Sequence, residues 1–176
     1  QGIGISFTDW NGYAQTKNYV GLKNYAQLFT DKNIRMVMLN TFIFGVFSTV
    51  FQNVFGLLYA LLVDMKFMLR GAVRTIIYLP VIISPLIIGY IMYYVLQYNG
   101  GALNEVLSWF GIASTDWLSQ RATSIPAIVI INTFQYVGPA MIIYLTGLQA
   151  IPLDYYEAAQ LDGASHWERL LKITFP

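Results

Sequence analysis

The sequence predicts an all-α protein, a polytopic bundle of membrane-spanning helices, and three observations carry the prediction. Of 176 residues, 56% are hydrophobic and only 11% are charged, against about a quarter charged in an ordinary globular domain. The charged residues leave three gaps, Met36 to Val63, Thr75 to Asn104 and Ala122 to Leu153, of 28, 30 and 32 residues. About 20 apolar residues suffice to cross the hydrocarbon core. The last gap is followed by a polar segment with the chemistry of two helices joined by a tight turn. A buried helix of a large soluble protein can also lack charge, but three such runs in one short chain fit that reading poorly.

Taken in order, Gly2 to Phe7 reads as the last turn of an apolar segment, followed by Thr8-Asp9-Trp10-Asn11-Gly12, a turn rich in interface residues. Residues 1–37 are therefore expected to hold the end of an earlier span and an outer-side segment, so that the chain is a central fragment. Gln1 begins no basic, apolar and small-residue series, and no secretory leader is expected. Residues 38–148 are expected to form three full spans, near 38–63, 75–97 and 124–148. Between the second and third, Tyr98-Asn99-Gly100-Gly101 breaks the chain. Leu103 to Phe110 then suits a short helix at the interface, with Trp109 and Phe110 as anchors and Trp117 in a similar role. Pro80, Pro85 and Pro139 each remove a backbone donor and are expected to bend their helices.

Two spans carry polar faces. In the first, Thr41, Gly45, Ser48, Gln52, Gly56 and Tyr59 recur at steps of three and four, a small and polar stripe whose opposite side would face lipid. Packing against another helix explains it more simply than a solute pathway, although Ser48 and Gln52 could serve either. In the third, Asn132, Gln135, Tyr136, Pro139 and Thr146 lie close to one face. Amides beside an aromatic ring suit sugar hydroxyls and a pyranose face, and equally suit bonds between helices. Tyr90, Tyr93 and Gln97 sit nearer the end of the middle span, where headgroup anchoring is the simpler role.

The terminal segment is the most informative. Pro152 suits a helix start, and Asp154 and Glu157 place negative charge at the positive end of the helix dipole, predicting a helix over about 153–161. Gly163 suits the left-handed residue that closes it, while Ser165 and Glu168 have the spacing of a capping box that opens the next. Trp167, Leu170, Leu171 and Thr174 then give the second helix one apolar face, with Glu168, Arg169 and Lys172 wet and Pro176 ending it.

Several chemistries are excluded. The net charge of +1, with no basic run, offers no field for nucleic acid. There is no cysteine, and the lone His166 leaves no partner for a catalytic or metal-binding set. No phosphate-cradling Gly-x-x-x-x-Gly-Lys-Ser/Thr loop exists, so energy for any transport must come from elsewhere. Orientation is balanced. Lys66, Arg70 and Arg74 crowd the short loop after the first full span, whereas Arg121 alone marks the longer one. Lys17, Lys23, Lys32 and Arg35 on the far side even the count; charge density favours the short loop inside.

Glu157, Ala158, Ala159, Asp162, Gly163, Ala164, Ile173 and Pro176, placed directly after a span, resemble the "EAA" loop of permease subunits of bacterial binding-protein-dependent ABC importers. Phe175 stands where that pattern usually has Leu. Tyr19-Val20-Gly21-Leu22-Lys23-Asn24-Tyr25 is similar to the outer-side segment of the sugar-type branch. The resemblance implies the type I importer bundle, with residues 149–176 as the cytoplasmic coupling loop. It implies transport with two ATPase subunits that carry ATP and Mg, a second permease subunit, and a periplasmic or lipid-anchored solute-binding protein. No cofactor is expected on this chain, and the setting is the bacterial inner membrane and its lipid. Glu157 and Asp162 would make polar contacts with an ATPase subunit, Gly163 would set the turn, and Ala158, Ala159 and Ala164 would permit close approach. The rival reading is an ion-coupled transporter or channel working alone, which the lack of ionisable side chains in the three spans disfavours.

Overall fold

The structure, a computed structural model, describes residues 2–65 and 67–175, so expectations attached to Gln1, Lys66 and Pro176 lie outside it. Among the described residues, helices dominate: α1 (Gly2–Ile5), α2 (Lys23–Thr30), α3 (Lys32–Asp64), α4 (Arg70–Ile82), α5 (Pro85–Leu96), α6 (Ala102–Trp109), α7 (Arg121–Ala150), α8 (Leu153–Leu161) and α9 (His166–Arg169). Two units are separately compact, Gln1–Gly45 and Val46–Pro176, with the boundary inside α3.

In the first unit, the turn after α1 is knitted by polar contacts. Asp9 accepts from the backbone and side-chain amides of Asn18, at 2.9 and 3.0 Å. Asn24 donates to the carbonyls of Ser6 and Thr8. A single antiparallel bridge joins Thr8 to Tyr19, Phe7 lies against Tyr19 and Tyr25, and the Lys17 ammonium sits 4.3 Å over the Trp10 ring. The paired amides of Asn18 hold the Asp9 carboxyl below its usual range.

Helix α3, which runs through the boundary, and α7 are each long and apolar enough to cross a membrane, with 33 and 30 residues. Pro126 and Pro139 lie inside α7 without ending it. The expected middle span differs: it is two helices, α4 and α5, meeting at 97°. Its cause is local. Ile83 and Ser84 both take extended backbone, and Pro85, with no N–H to continue α4, opens α5 at its first turn. Pro80, by contrast, sits inside α4.

Contacts set the helix directions. Gln52 meets Asn132 near one end of the α3–α7 pair, and Ala60 and Val63 form the core with Met141 and Leu145 towards the other, so these helices run parallel. Helix α4 runs against them, since Ile83 lies at Gln135 while Val73 and Ile77 pack on the Met141 cluster. The turn between α3 and α4 therefore lies at the same end as the chain leaving α7. Close approach uses glycine: a Cβ on Gly138 would stand 2.9 Å from the Tyr78 Cα, and one on Gly56 2.7 Å from the Ala140 Cβ. Phe47, Phe51, Phe55 and Tyr59 follow one another a turn apart at centroid distances of 6.2 to 6.4 Å, the first two pairs tilted and the last stacked.

Candidate functional site

Local chemistry shapes the elbow after α7 at each joint. Pro152 stands just before α8 with extended backbone, one position ahead of the expected first turn, and Asp154 lies in that turn. At its far end Gly163 has φ +75°. The Gly163 amide donates to the Gln160 carbonyl at 3.1 Å, and the Ala164 amide to that of Ala159 at 2.9 Å. This is the Schellman pair of bonds, which satisfies two carbonyls that α8 would otherwise leave open.

The capping box is complete. Ser165 Oγ accepts from the Glu168 amide at 3.3 Å, and Glu168 Oε2 accepts from the Ser165 amide at 2.9 Å. Hydrogen bonds from the Ser165 backbone and hydroxyl, with Lys172 3.5 Å away, hold the Glu168 carboxyl below its ordinary range. Beyond α9 the expected regular helix widens to a π turn over Leu170–Thr174, where the Phe175 amide reaches the Leu170 carbonyl at 2.9 Å. The Tyr156 hydroxyl bonds Thr174 Oγ1 at 3.0 Å and closes the two arms on each other.

Glu157, Ala158, Asp162 and Gly163 are exposed, while Ala159 and Ala164 are half-buried against the turn. Large apolar side chains are exposed beside them: Leu161 is 90% exposed and Trp167 70%.

The polar residues of the spans lie differently. Gln52 donates to Asn132 Oδ1 at 2.7 Å, so these two candidates meet each other across 80 positions of sequence. Gln135, 5% exposed, donates to the Ile83 carbonyl at 3.2 Å. Ser48 is 4% exposed, and its hydroxyl has no hydrogen-bond partner among the described residues. Tyr136 is half-buried. Outside this set, the Tyr144 hydroxyl donates to Asn53 Oδ1 at 2.7 Å, a second α3–α7 link. A cavity of about 450 Å³ between α5, α6 and α7 is lined by Met92, Leu96, Pro126, Ile130 and Phe134 among others. Its apolar walls suit hydrocarbon rather than hydroxyls.

Sequence reasoning missed Asn104. Its amide nitrogen donates to the Thr115 and Tyr98 carbonyls at 3.0 and 3.2 Å, and its oxygen accepts from the Thr115 amide and the Trp117 indole at 3.2 and 2.9 Å. Trp117 is half-buried with its indole N–H engaged by Asn104, whereas Trp109 and Phe110 are exposed. An Asn between two leucines of a short helix, Leu103 and Leu107, was the available signal.

Residues 52–176 match the family described as "Binding-protein-dependent transport system inner membrane component". The chain belongs to this family. The match takes in α7, the break between α4 and α5, and the whole elbow. Among curated relatives of this permease family, the chain is 36% identical over 177 residues to "Probable starch degradation products transport system permease protein AmyD" of Thermoanaerobacterium thermosulfurigenes, covering 99% of this chain and 59% of the relative. It is 32% identical to "Trehalose/maltose transport system permease protein MalF" of Thermococcus litoralis, covering 91% and 54%. Among solved structures it is similar, with a TM-score of 0.85 and 29% identity, to a chain of a bacterial ABC transporter involved in the import of the acidic polysaccharide alginate, covering 99% and 59%. The chain therefore spans somewhat over half the length of the relatives it matches.

Proposed function

We propose that this chain supplies the central spans and coupling elbow of a permease subunit in an ATP-driven importer of carbohydrate. The carrying observation is the elbow. A turn fixed by a Schellman pair on one side and a capping box on the other follows a membrane-length helix and presents Leu161 and the Glu157–Ala164 surface outward. Such an element can transmit a push without absorbing it, because its backbone donors and acceptors are already committed.

In this reading residues 149–176 form the cytoplasmic coupling loop and 38–148 the transmembrane domain, with 1–37 the end of an earlier span and an outer-side segment. Two ATPase subunits bind ATP and Mg, a second permease subunit completes the path, and a periplasmic or lipid-anchored solute-binding protein delivers the sugar to the outer face of the inner membrane. Glu157, Ala158, Ala159, Asp162, Gly163 and Ala164 dock on the ATPase. Among the described residues, Tyr136 and Ser48 are the path residues whose polar groups make no hydrogen bond to a neighbouring helix, whereas Gln52, Asn132 and Gln135 reach solute only by exchanging the bonds they now make. The relatives' printed substrates, starch degradation products, trehalose or maltose, and alginate, support carbohydrate as the solute class.

The test is uptake by the full-length protein purified with its partners and placed in liposomes. ATP-dependent accumulation of a labelled oligosaccharide, delivered by the cognate binding protein, is expected. Uptake by the permease alone, driven by a sodium or proton gradient, would contradict the proposal.

A further inference from the structure

A broken helix in an apolar environment has a supply problem. With no water at hand, each carbonyl freed by the break needs a donor from protein. Pro85 brings no N–H, and the two extended residues before it leave their carbonyls outside the α4 ladder. The Ser84 carbonyl accepts from the Ile88 amide at 3.1 Å, the first bond of α5. The Ile83 carbonyl accepts from a side chain, Gln135 Nε2, at 3.2 Å.

Gln135 is buried on α7 three residues before Gly138, whose missing Cβ lets the backbone at Tyr78 and Ile77 come close. Helix α7 therefore holds α4 at two heights, by contact at Gly138 and by a directed bond at the break. The same helix leads into the elbow. On the other side, α5 leaves at 97° with its end joined to α6 through Asn104, which donates to the Tyr98 carbonyl.

We infer that Gln135 is a positioning residue: it pins the α4 side of the break to the helix that carries the elbow, so displacement of the elbow reaches the break undamped, and it acts through the Ile83 carbonyl rather than by contact with solute. This rests on the importer reading, but the pin itself can be tested without transport. Gln135→Met keeps the side-chain length and removes the donor, Gln135→Asn keeps the amide and shortens its reach, and Gln135→Glu, neutral when buried, restores an O–H donor.

The first measurement is the distance between spin labels at Ile76 and Tyr94, exposed positions on either side of the break, in the assembled full-length transporter. The distribution is expected to broaden in Gln135→Met and Gln135→Asn and to narrow again in Gln135→Glu. The second is uptake by the same proteins. The maximal rate is expected to fall roughly fivefold or more in the first two variants, with KM for the sugar unchanged and the rate recovered in Gln135→Glu. Unchanged distance distributions in both Gln135→Met and Gln135→Asn, or a raised KM at full maximal rate, would overturn the inference. If wild type shows no ATP-dependent uptake, the importer reading fails, and the distance measurement still decides the pin.

Discussion

Gly138 of α7 lies against the backbone of Tyr78 in α4, so close that an added Cβ would stand 2.9 Å from the Tyr78 Cα and 3.0 Å from the Ile77 carbonyl oxygen. Neither neighbour is a movable side-chain tip. Gly138→Ala is expected to force α4 and α7 apart and to destabilise the protein by about 1–3 kcal/mol, the usual cost of overpacking. Gly45→Ala meets nothing within 4 Å and is expected to be neutral or slightly stabilising. Thermal unfolding of the detergent-solubilised protein compares them; equal melting temperatures would show that the contact does not constrain the pair.

The Gln52–Asn132 bond predicts a coupling energy. Replacing either residue by Leu leaves the other's amide unpaired between helices, whereas replacing both removes the demand. In a double-mutant cycle the interaction is expected at about 0.6–1.7 kcal/mol, the range for bonds between membrane helices. Strict additivity would mean that the two side chains act independently.

Asn104 is expected to order the connection between α6 and α7. Asn104→Ala removes the acceptor of the Thr115 amide and the Trp117 indole. Exchange of the Thr115 amide with deuterated water should quicken about fivefold or more, as follows from losing a bond worth about 1 kcal/mol. Exchange at the Ile142 amide, deep in α7, should not change. A Thr115 rate equal to that of the native protein would dismiss the hub.

The capping box predicts a pH response. The folded Glu168 carboxyl titrates below its ordinary value, chiefly through the Ser165 backbone and hydroxyl bonds and then Lys172. A depressed carboxylate stabilises the fold above its unfolded pKa and loses that contribution as pH falls through the lower folded value. The start of α9 is thus expected to hold at neutral pH and to loosen only in acid, below the ordinary carboxylate range. NMR titration of the Glu168 side chain reads the pKa directly, and Ser165→Ala should move it upward. An unmoved value would show that the hydroxyl contributes nothing and leave the depression to the residue-165 backbone amide and Lys172.

The sequence revealed features governed by near neighbours and hid those that depend on distant ones. Gly163, Ser165 and Glu168 could be read because a left-handed closure and a capping box need only a few consecutive residues, and α3 and α7 because a membrane helix is written in composition. Pro85 announced a disturbance but not its size: a proline inside a helix can ride along, as Pro139 does, and the 97° turn arises because Ile83 and Ser84 both extend. Gln52, Asn132 and Gln135 stood out as polar residues on apolar helices. Whether they bind each other or a solute depends on partners 52 to 80 positions away, which periodicity does not register. The hydrogen-bond acceptor of Trp117, Asn104, lies on another element and so could not be read from the residues around it.

The most direct test of force transmission through the elbow is the ratio of sugar uptake to ATP hydrolysis in liposomes holding the full-length Gly163→Val protein with its partners. Gly163 has φ +75°, where a β-branched residue is strained by about 1–2 kcal/mol or more, so the turn must change shape while the spans remain able to insert. ATP hydrolysis that continues while uptake falls at least tenfold is the predicted result. Uptake at the wild-type ratio would contradict the account.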